Sequence, residues 1–460
     1  MTSGPADAPI APPRIMRQRP VGKALITSIA VTAGVQGLNL ITGVILARTL
    51  GPYGRGELTA VLLWPSLLAV LGSLGMSDAL TYYSARDETP VGSMVGSGTA
   101  LALFQALVLI GIGLVLEPLV LHKYGPAAVH SADILLVGFI PATLLGMYLL
   151  GVLNGRQHLI AYQWLRGLVV LVTALILVAI VALNELSVRT AVYGYVAANL
   201  FTLLVIVLVL WRRERPRPRV QWLQIRRLAS FGVKSQTSTA SVILNGTLDQ
   251  LLVSLTLAPR LLGLYTIAST VSAVISMVGY SVAPVAFPVL AGTAAASARR
   301  EGARAVIGMT TVVSVGLALP LILFAPELID LVFGHAFHGA TTSARILLVG
   351  SVIFSTDRSL EAVMKAYGRP LDAGIAETTA LVVTAVSLAA LLPLFGLIGA
   401  ASASGVGALA SYCLLVRRAK SVVGLGVSEL IIPRPSDLAR TVQMVRSVLR
   451  RTPTSASPSA

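Results

Sequence analysis

The chain has 460 residues, of which 55% are hydrophobic and only 12% are charged, and its mean hydropathy is +0.83. Soluble proteins carry about 25% charged residues, so this composition excludes an ordinary soluble domain. A formal net charge of +16 would suit a nucleic-acid-binding protein. The cations are instead distributed as in a membrane protein, and we expect no nucleic-acid partner.

The chain is predicted to cross a membrane about twelve times. Each crossing of the hydrocarbon takes about 20 apolar residues, and a helix satisfies its own backbone hydrogen bonds in lipid. The predicted fold class is therefore an all-α integral membrane protein. The apolar segments are 24–46, 58–82, 93–116, 132–153, 167–184, 190–211, 235–256, 262–289, 304–326, 344–364, 374–395 and 397–416.

An internal repeat divides the chain into two halves. Residues 132–138 read Ala-Asp-Ile-Leu-Leu-Val-Gly, and 344–350 read Ala-Arg-Ile-Leu-Leu-Val-Gly. Six crossings return the chain to its starting side, so we predict parallel repeats related by a pseudo-two-fold axis along the membrane normal. The predicted parts are a disordered tail at 1–20, a six-helix bundle at 21–211, a basic linker at 212–234, a second six-helix bundle at 235–420 and a tail at 421–460.

The basic residues predict the orientation. Most of them fall near the N-terminus, in the 212–234 linker and beyond residue 416, which lie on one side of the membrane. By the positive-inside rule, both termini and the linker are cytoplasmic, and their charge suits contact with anionic lipids. Apolar residues at helical spacing between Leu438 and Leu449 predict an amphipathic helix. It could lie on the inner leaflet or pack on its own loops.

Polar groups inside the predicted spans are the candidate site residues, because a charge at the bilayer centre costs about 2.5–3.5 kcal/mol and needs a partner or a wet cavity. Asp249 lies in the middle of the span 235–256. One interpretation is a cavity-facing acid that binds substrate or a coupling proton. The other is a carboxyl group hydrogen-bonded to a neighbouring helix.

Asp357, Arg358 and Glu361 form a second cluster of candidates, since residues three and four apart share a helix face. The arginine could bind a phosphate bidentately in a cavity, or the three could form a self-neutralised set of ion pairs. Asp78 and Glu377 are expected at solvated helix ends near the cytoplasmic mouth, with Asp78 retained as a site candidate.

The remaining polar residues predict no catalytic centre. Arg48 and Arg55 flank a Gly-Pro turn and are expected in an external loop. His335 and His338 are expected to hold no metal, because no acid or cysteine was found to accompany them. The single cysteine, Cys413, excludes an internal disulfide. The sequence contains no Walker A, GxSxG or HExxH motif, so we expect neither an enzyme nor a cofactor.

Several short motifs resemble one family. Residues 47–57, Ala-Arg-Thr-Leu-Gly-Pro-Tyr-Gly-Arg-Gly-Glu, resemble the LARxLGPxGxG segment of bacterial oligosaccharide flippases. Leu-Asp-Gln at 248–250, followed by Leu-Gly-Leu-Tyr at 262–265, is similar to the start of their second half. Phe-Gly at 333–334 and the Gly-Arg-Pro that ends 365–370 resemble a later pattern. The chain is thus identified as a member of the Wzx-like family in the multidrug/oligosaccharidyl-lipid/polysaccharide exporter superfamily.

The resemblance implies a V-shaped pair of six-helix bundles in the bacterial cytoplasmic membrane. It implies that a polyprenyl-diphosphate-linked glycan is exported through a polar or cationic cavity by alternating access, and it allows coupling to a proton or sodium gradient. Two other functions stay open. One is a cation-coupled, multidrug-type exporter of small molecules, and the less favoured one is a membrane glycosyltransferase or ligase.

Overall fold

A computed structural model describes residues 21–86, 90–424 and 426. The predicted tail at 1–20 and the amphipathic helix near 438–449 lie outside these residues. The described chain is helical, and nine of its helices are long and apolar enough to span a membrane, which confirms the all-α membrane fold. The helices are α1 Val21–Gly72, α2 Met76–Ser84, α3 Val91–Leu121, α4 Pro126–Gly155, α5 Leu159–Ala182, α6 Val188–Glu214, α7 Trp222–Thr256, α8 Pro259–Ala291, α9 Ala296–Leu323, α10 Ala325–Val332, α11 Thr341–Ala366 and α12 Pro370–Val423, with 3₁₀ turns at His122–Tyr124 and His335–Ala340.

The two longest helices are each interrupted by one glycine. Gly51 in α1 has φ 66°, and Gly396 in α12 has φ 56°. Positive φ values are readily adopted by glycine because it lacks a Cβ atom. Helix α12 therefore contains the predicted spans 374–395 and 397–416, whereas α1 contains 24–46 and only the part of 58–82 that ends at Gly72. The break at Gly51 lies in the Gly-Pro turn that the sequence predicted.

The internal repeat also includes Leu-Gly-Pro at 50–52 with Gly56, which is echoed by Leu-Ala-Pro at 257–259 with Gly263. These two segments contact each other. A Cβ atom at Gly56 would overlap the carbonyl oxygen of Pro259, and one at Gly263 would overlap that of Pro52. Next to them, the hydroxyl groups of Thr59 and Thr266, which are 207 positions apart, lie 3.3 Å from each other. Such reciprocal contact is what a two-fold axis between the halves produces.

Polar contacts reinforce this meeting of the halves, which we call the joined end. Arg48 donates through Nε to the carbonyl oxygen of Val332 at 2.8 Å. Lys123 Nζ donates to the Leu257 carbonyl at 2.6 Å, and the hydroxyl of Tyr124 donates to the Ser254 carbonyl at 3.0 Å. Each bond runs from a side chain of the first half to the backbone of the second.

The apolar core is shared at the joined end and separate at the opposite end, which we call the split end. One core contains residues of both halves, such as Leu58 and Ile267. Toward the split end, a second core around Tyr148 belongs to the first half and the start of α7. A third core around Met364 belongs to the second half alone. The molecule is therefore sealed at one end and cleft at the other.

The linker and the beginning of α7 pack against the first half at the split end. The backbone N–H of Arg219 donates to the Gly92 carbonyl of α3 at 3.0 Å. Phe231 in α7 stacks on Tyr82 of α2, with ring centroids 4.6 Å apart. The later part of α7 packs against α12, so this helix passes from one half to the other.

Candidate functional site

A polar cavity of about 300 Å³ lies inside the second half. Helix α7 contributes Asp249 and α11 contributes Asp357 and Arg358, so one cavity brings together three of the predicted candidates. The wall between them is built from small and hydroxyl-bearing residues, because large side chains would fill the space. These include Ser269, Ser272, Ser276, Thr384, Ser404 and Ser411.

Asp249 accepts hydrogen bonds from three different directions. The hydroxyl of Tyr265 donates to its Oδ2 at 2.6 Å and that of Ser404 donates to the same oxygen at 3.0 Å, while the N–H of Gln250 reaches Oδ1 at 2.7 Å. The carboxyl group both faces the cavity and bonds to neighbouring helices. The structure thus shows the cavity-facing position and the bonds to neighbouring helices together, and binding of substrate or a proton by Asp249 stays a prediction.

Arg358 is held between two carboxylates. Its Nη1 lies 2.9 Å from Glu361 Oε2, and its Nη2 pairs with Glu377 of α12. Glu361 also binds Lys365 through Oε1 at 2.6 Å. Two cations and two anions thus neutralise one another, which a buried ion-pair set requires. Asp357 stands apart from this set and accepts from the Ser411 hydroxyl at 3.1 Å.

Glu377 does not lie where the sequence predicted. It is buried, with 4% of its surface exposed, instead of ending a helix in solvent. The reason is that α12 begins at Pro370, so residue 377 already lies two turns inside the helix. Asn245 of α7 approaches both Glu377 Oε2 at 3.4 Å and the Thr384 hydroxyl at 3.5 Å. Asn245 and Glu377 were not selected as site candidates, although both lie within predicted spans, at 235–256 and 374–395.

A second cavity of about 490 Å³ lies between the halves, where α1 faces α8. Its lining includes Arg55, Gln36, Asn39 and Tyr195 from the first half. Ala273 of α8 borders both this cavity and the one that contains Asp249. A single helix therefore separates the two polar spaces.

Arg55 was expected in an external loop, and this expectation is wrong. The helix resumes directly after Gly51, so Arg55 lies one turn inside it and faces the cavity between the halves. Its Nε is buried and, within the described residues, has no hydrogen-bond partner. A guanidinium group with an unused donor can bind an anionic ligand. The sequence did not predict that Arg55 lies in a helix, because the interruption of that helix is only one residue long.

Asp78 does not join these residues. It lies exposed in the first turn of α2 at the split end. Its Oδ2 accepts a hydrogen bond from the Ser235 hydroxyl of α7 at 2.7 Å, so Asp78 connects α7 to the first half. The histidine pair also differs from expectation, because Asp330 of α10 lies beside both His335 and His338.

Residues 45–342 match the family described as "Polysaccharide biosynthesis protein", which is more than half of the chain. No curated protein matches the sequence. The resemblance to the Wzx-like flippases is thereby confirmed at the level of the family.

Solved structures with the same fold share little sequence. "Lipid II flippase MurJ, inward closed conformation" has a TM-score of 0.74 at 12% identity and covers 94% of each chain. An inward-facing multidrug resistance MATE family transporter of the MOP superfamily has a TM-score of 0.69 at 15% identity, covering 93% of this chain and 100% of its own. An outward-facing one scores 0.57 at 15% identity, with 93% and 96% covered. These similarities extend over nearly the whole chain and show a shared fold.

Proposed function

This chain belongs to the polysaccharide biosynthesis protein family, and we propose that it moves a lipid-linked glycan across the membrane by alternating access. The observation that carries the proposal is the cleft between the halves, with a shared core at one end and two separate cores at the other. A lipid-linked precursor could enter such a cleft sideways from the bilayer. No soluble domain is needed for that movement.

The cavity between the halves suits the head group of a polyprenyl diphosphate. Arg55 offers an unused buried N–H there, and Gln36 and Asn39 add amide groups that can bind sugar hydroxyls. Arginine binds phosphate oxygens through its planar fork of donors. Arg358 also has a buried Nε without a hydrogen-bond partner within the described residues, but its charge is already neutralised by Glu361 and Glu377. We therefore assign the diphosphate contact to Arg55.

Asp249 is the candidate for coupling to an ion gradient. Its carboxyl group lies on the polar cavity, surrounded by the hydroxyls of Tyr265 and Ser404. A proton or a sodium ion could bind such an arrangement of oxygens. Because Ala273 borders this cavity and the cavity between the halves, occupancy of one space can bias the packing of α8 against the other.

Alternating access requires that the joined end opens while the split end closes. Besides the shared apolar core, the joined end contains close backbone approaches and hydrogen bonds to carbonyl groups, which suit this change. Such contacts can be exchanged for water when the halves separate. The distribution of basic residues supports an orientation in which the split end and both termini face the cytoplasm.

The proposal is tested by transport of a fluorescent polyprenyl-diphosphate-linked oligosaccharide in proteoliposomes. Wild-type protein should move the probe between leaflets faster than empty vesicles, and Arg55→Gln should reduce the rate. Equal rates with and without protein would refute the proposal. A control with the charge kept, Arg55→Lys, distinguishes loss of charge from loss of the bidentate geometry.

The multidrug-type exporter is the second candidate, and the observation that favours it is the similarity to MATE family structures. It predicts extrusion of cationic dyes by the same vesicles and no movement of the glycolipid probe. A membrane glycosyltransferase or ligase would instead form a new glycosidic bond. Mass spectrometry of the recovered probe distinguishes that reaction from transport.

A further inference from the structure

We propose that Asp330, His335 and His338 form a binding site for a divalent transition-metal ion such as Zn²⁺. The ligand atoms of these three side chains all lie within 4.8 Å of one another. His335 Nδ1 lies 3.0 Å and His338 Nδ1 lies 3.1 Å from Asp330 Oδ2. Zinc bonds of about 2.0–2.2 Å place neighbouring ligands roughly 3–3.5 Å apart, which is close to this spacing.

The local backbone explains why these side chains converge. The segment His335–Ala340 is a 3₁₀ helix, in which residues three apart lie one above the other. Both imidazole rings therefore face the same way, with ring centroids 5.4 Å apart. Asp330 lies in the last turn of α10. The chain then turns at Gly334, where φ is 102°, and this turn brings the two histidines back beside Asp330.

The donor set selects the class of ion. Imidazole nitrogens suit zinc, copper, nickel and cobalt, whereas magnesium and calcium prefer oxygen ligands. The two rings are exposed, which leaves room for water in the remaining coordination positions.

The site lies on the contact between the two halves. Leu331 and Val332 lie between Asp330 and His335 in the chain. Their carbonyl groups accept hydrogen bonds from Arg48 of α1. A bound ion ties α10 to the 3₁₀ turn and so fixes these carbonyls in place. The ion therefore favours the state in which the joined end is closed.

The test is metal binding to the purified full-length protein in detergent. We expect one Co²⁺ or Zn²⁺ per chain by calorimetry, with a Co²⁺ absorption band that reports nitrogen ligands. Loss of groups that merely orient a ligand weakens metal binding about 10–100-fold, so His335→Ala with His338→Ala should weaken it at least as much. Equal binding by this double variant, or wild-type binding weaker than about 1 mM, would overturn the proposal.

A matched control uses two other exposed histidines at the same end. His122 and His130 belong to no comparable group within the described residues, so His122→Ala with His130→Ala should bind like wild type. Hydrogen exchange then tests the effect on the contact. Zn²⁺ should slow amide exchange in residues 325–340 of the wild type and leave the His335/His338 double variant unchanged. Equal slowing in both proteins would contradict a site at these histidines.

Discussion

The two halves share their packing but not their charge. Helices α4 and α11 contain the same repeated stretch, at 132–138 and 344–350. Further along, α11 carries Asp357, Arg358 and Glu361, all of them buried. The equivalent positions in α4 are Leu145, Gly146 and Leu149. The two leucines line an apolar cavity of about 460 Å³.

A second pair of copies shows the same difference. Thr266 and Thr59 are separated by 207 positions. With the same separation, the counterpart of Asp249 in the first half is Thr42. The Thr42 hydroxyl donates to the Leu38 carbonyl of its own helix at 2.8 Å and so needs no further partner. Asp249 instead gathers donors from other segments. The duplication thus preserved the helix contacts, while ionisable groups were concentrated in the second half.

The largest effect is expected from breaking the buried ion pairs of the second half. Arg358→Met leaves Glu361 and Glu377 close together without their shared cation. Removing one partner of a buried pair costs about 3–5 kcal/mol of the free energy of unfolding. We expect a large drop in thermal stability in detergent, and partial recovery in the double variant Arg358→Met with Glu377→Met, which removes a stranded charge.

The control for this experiment is an ion pair nearer the surface of the same half. Arg418 pairs with Asp372, and more than a third of the Arg418 side chain is exposed. Pairs of this kind contribute about 0–1 kcal/mol, so Arg418→Met should change stability little. If Arg358→Met is no more harmful than Arg418→Met, water solvates the cluster and the halves differ less than their sequences suggest.

A smaller effect is expected where the halves are equal. Gly56→Ala and Gly263→Ala each place a methyl group against a carbonyl oxygen of the other half. Overpacking of this kind costs about 1–3 kcal/mol, and the symmetry predicts similar losses for both. Cysteine-accessibility measurements at the joined end should show more of the open state.

Two exposed glycines provide the comparison for these variants. A Cβ atom at Gly111 in α3 or Gly316 in α9 meets nothing within 4 Å. Alanine there should stabilise the helix by about 0.5–1 kcal/mol. Losses at Gly56 and Gly263 that differ strongly from each other would show that the contact is not symmetric.

Asp249 and Thr42 should differ in transport more than in stability. Asp249→Asn keeps one oxygen that can accept from Tyr265 and Ser404 and loses the oxygen that accepts from the Gln250 N–H, so we expect a loss of about 1 kcal/mol. Glycolipid transport should nevertheless fall, because the amide cannot exchange a proton or carry a negative charge. Thr42→Ala should leave the rate near wild type. Normal transport by Asp249→Asn would reduce this residue to a contact between helices.

The sequence predicted the helical membrane fold and selected Asp249 as a polar group within a span, but it left open whether this residue faces a cavity or a neighbouring helix. Both follow from local patterns, namely long apolar segments and a charge in the middle of one of them. It did not predict that Arg55 borders the cavity or that Glu377 is buried, because both depend on where a helix starts relative to a short turn. The sequence also did not predict that Asp330 lies beside the histidines, because this contact depends on the turn at Gly334 and on the 3₁₀ helix that follows it.

The smallest effect is expected at Arg48, where the joined end itself is asymmetric. Arg48 donates to the backbone of α10, whereas its counterpart in the repeat is Leu255, which has no donor in its side chain. Arg48 is exposed, so Arg48→Met should cost only about 0.5–1.5 kcal/mol. Because the lost bonds exist only while the halves touch, the variant should populate the open joined end more than wild type, as measured by spin-label distances between the halves. Leu255→Met should leave that distribution unchanged, and a shift as large as that of Arg48→Met would mean that packing, not hydrogen bonding, holds this edge closed.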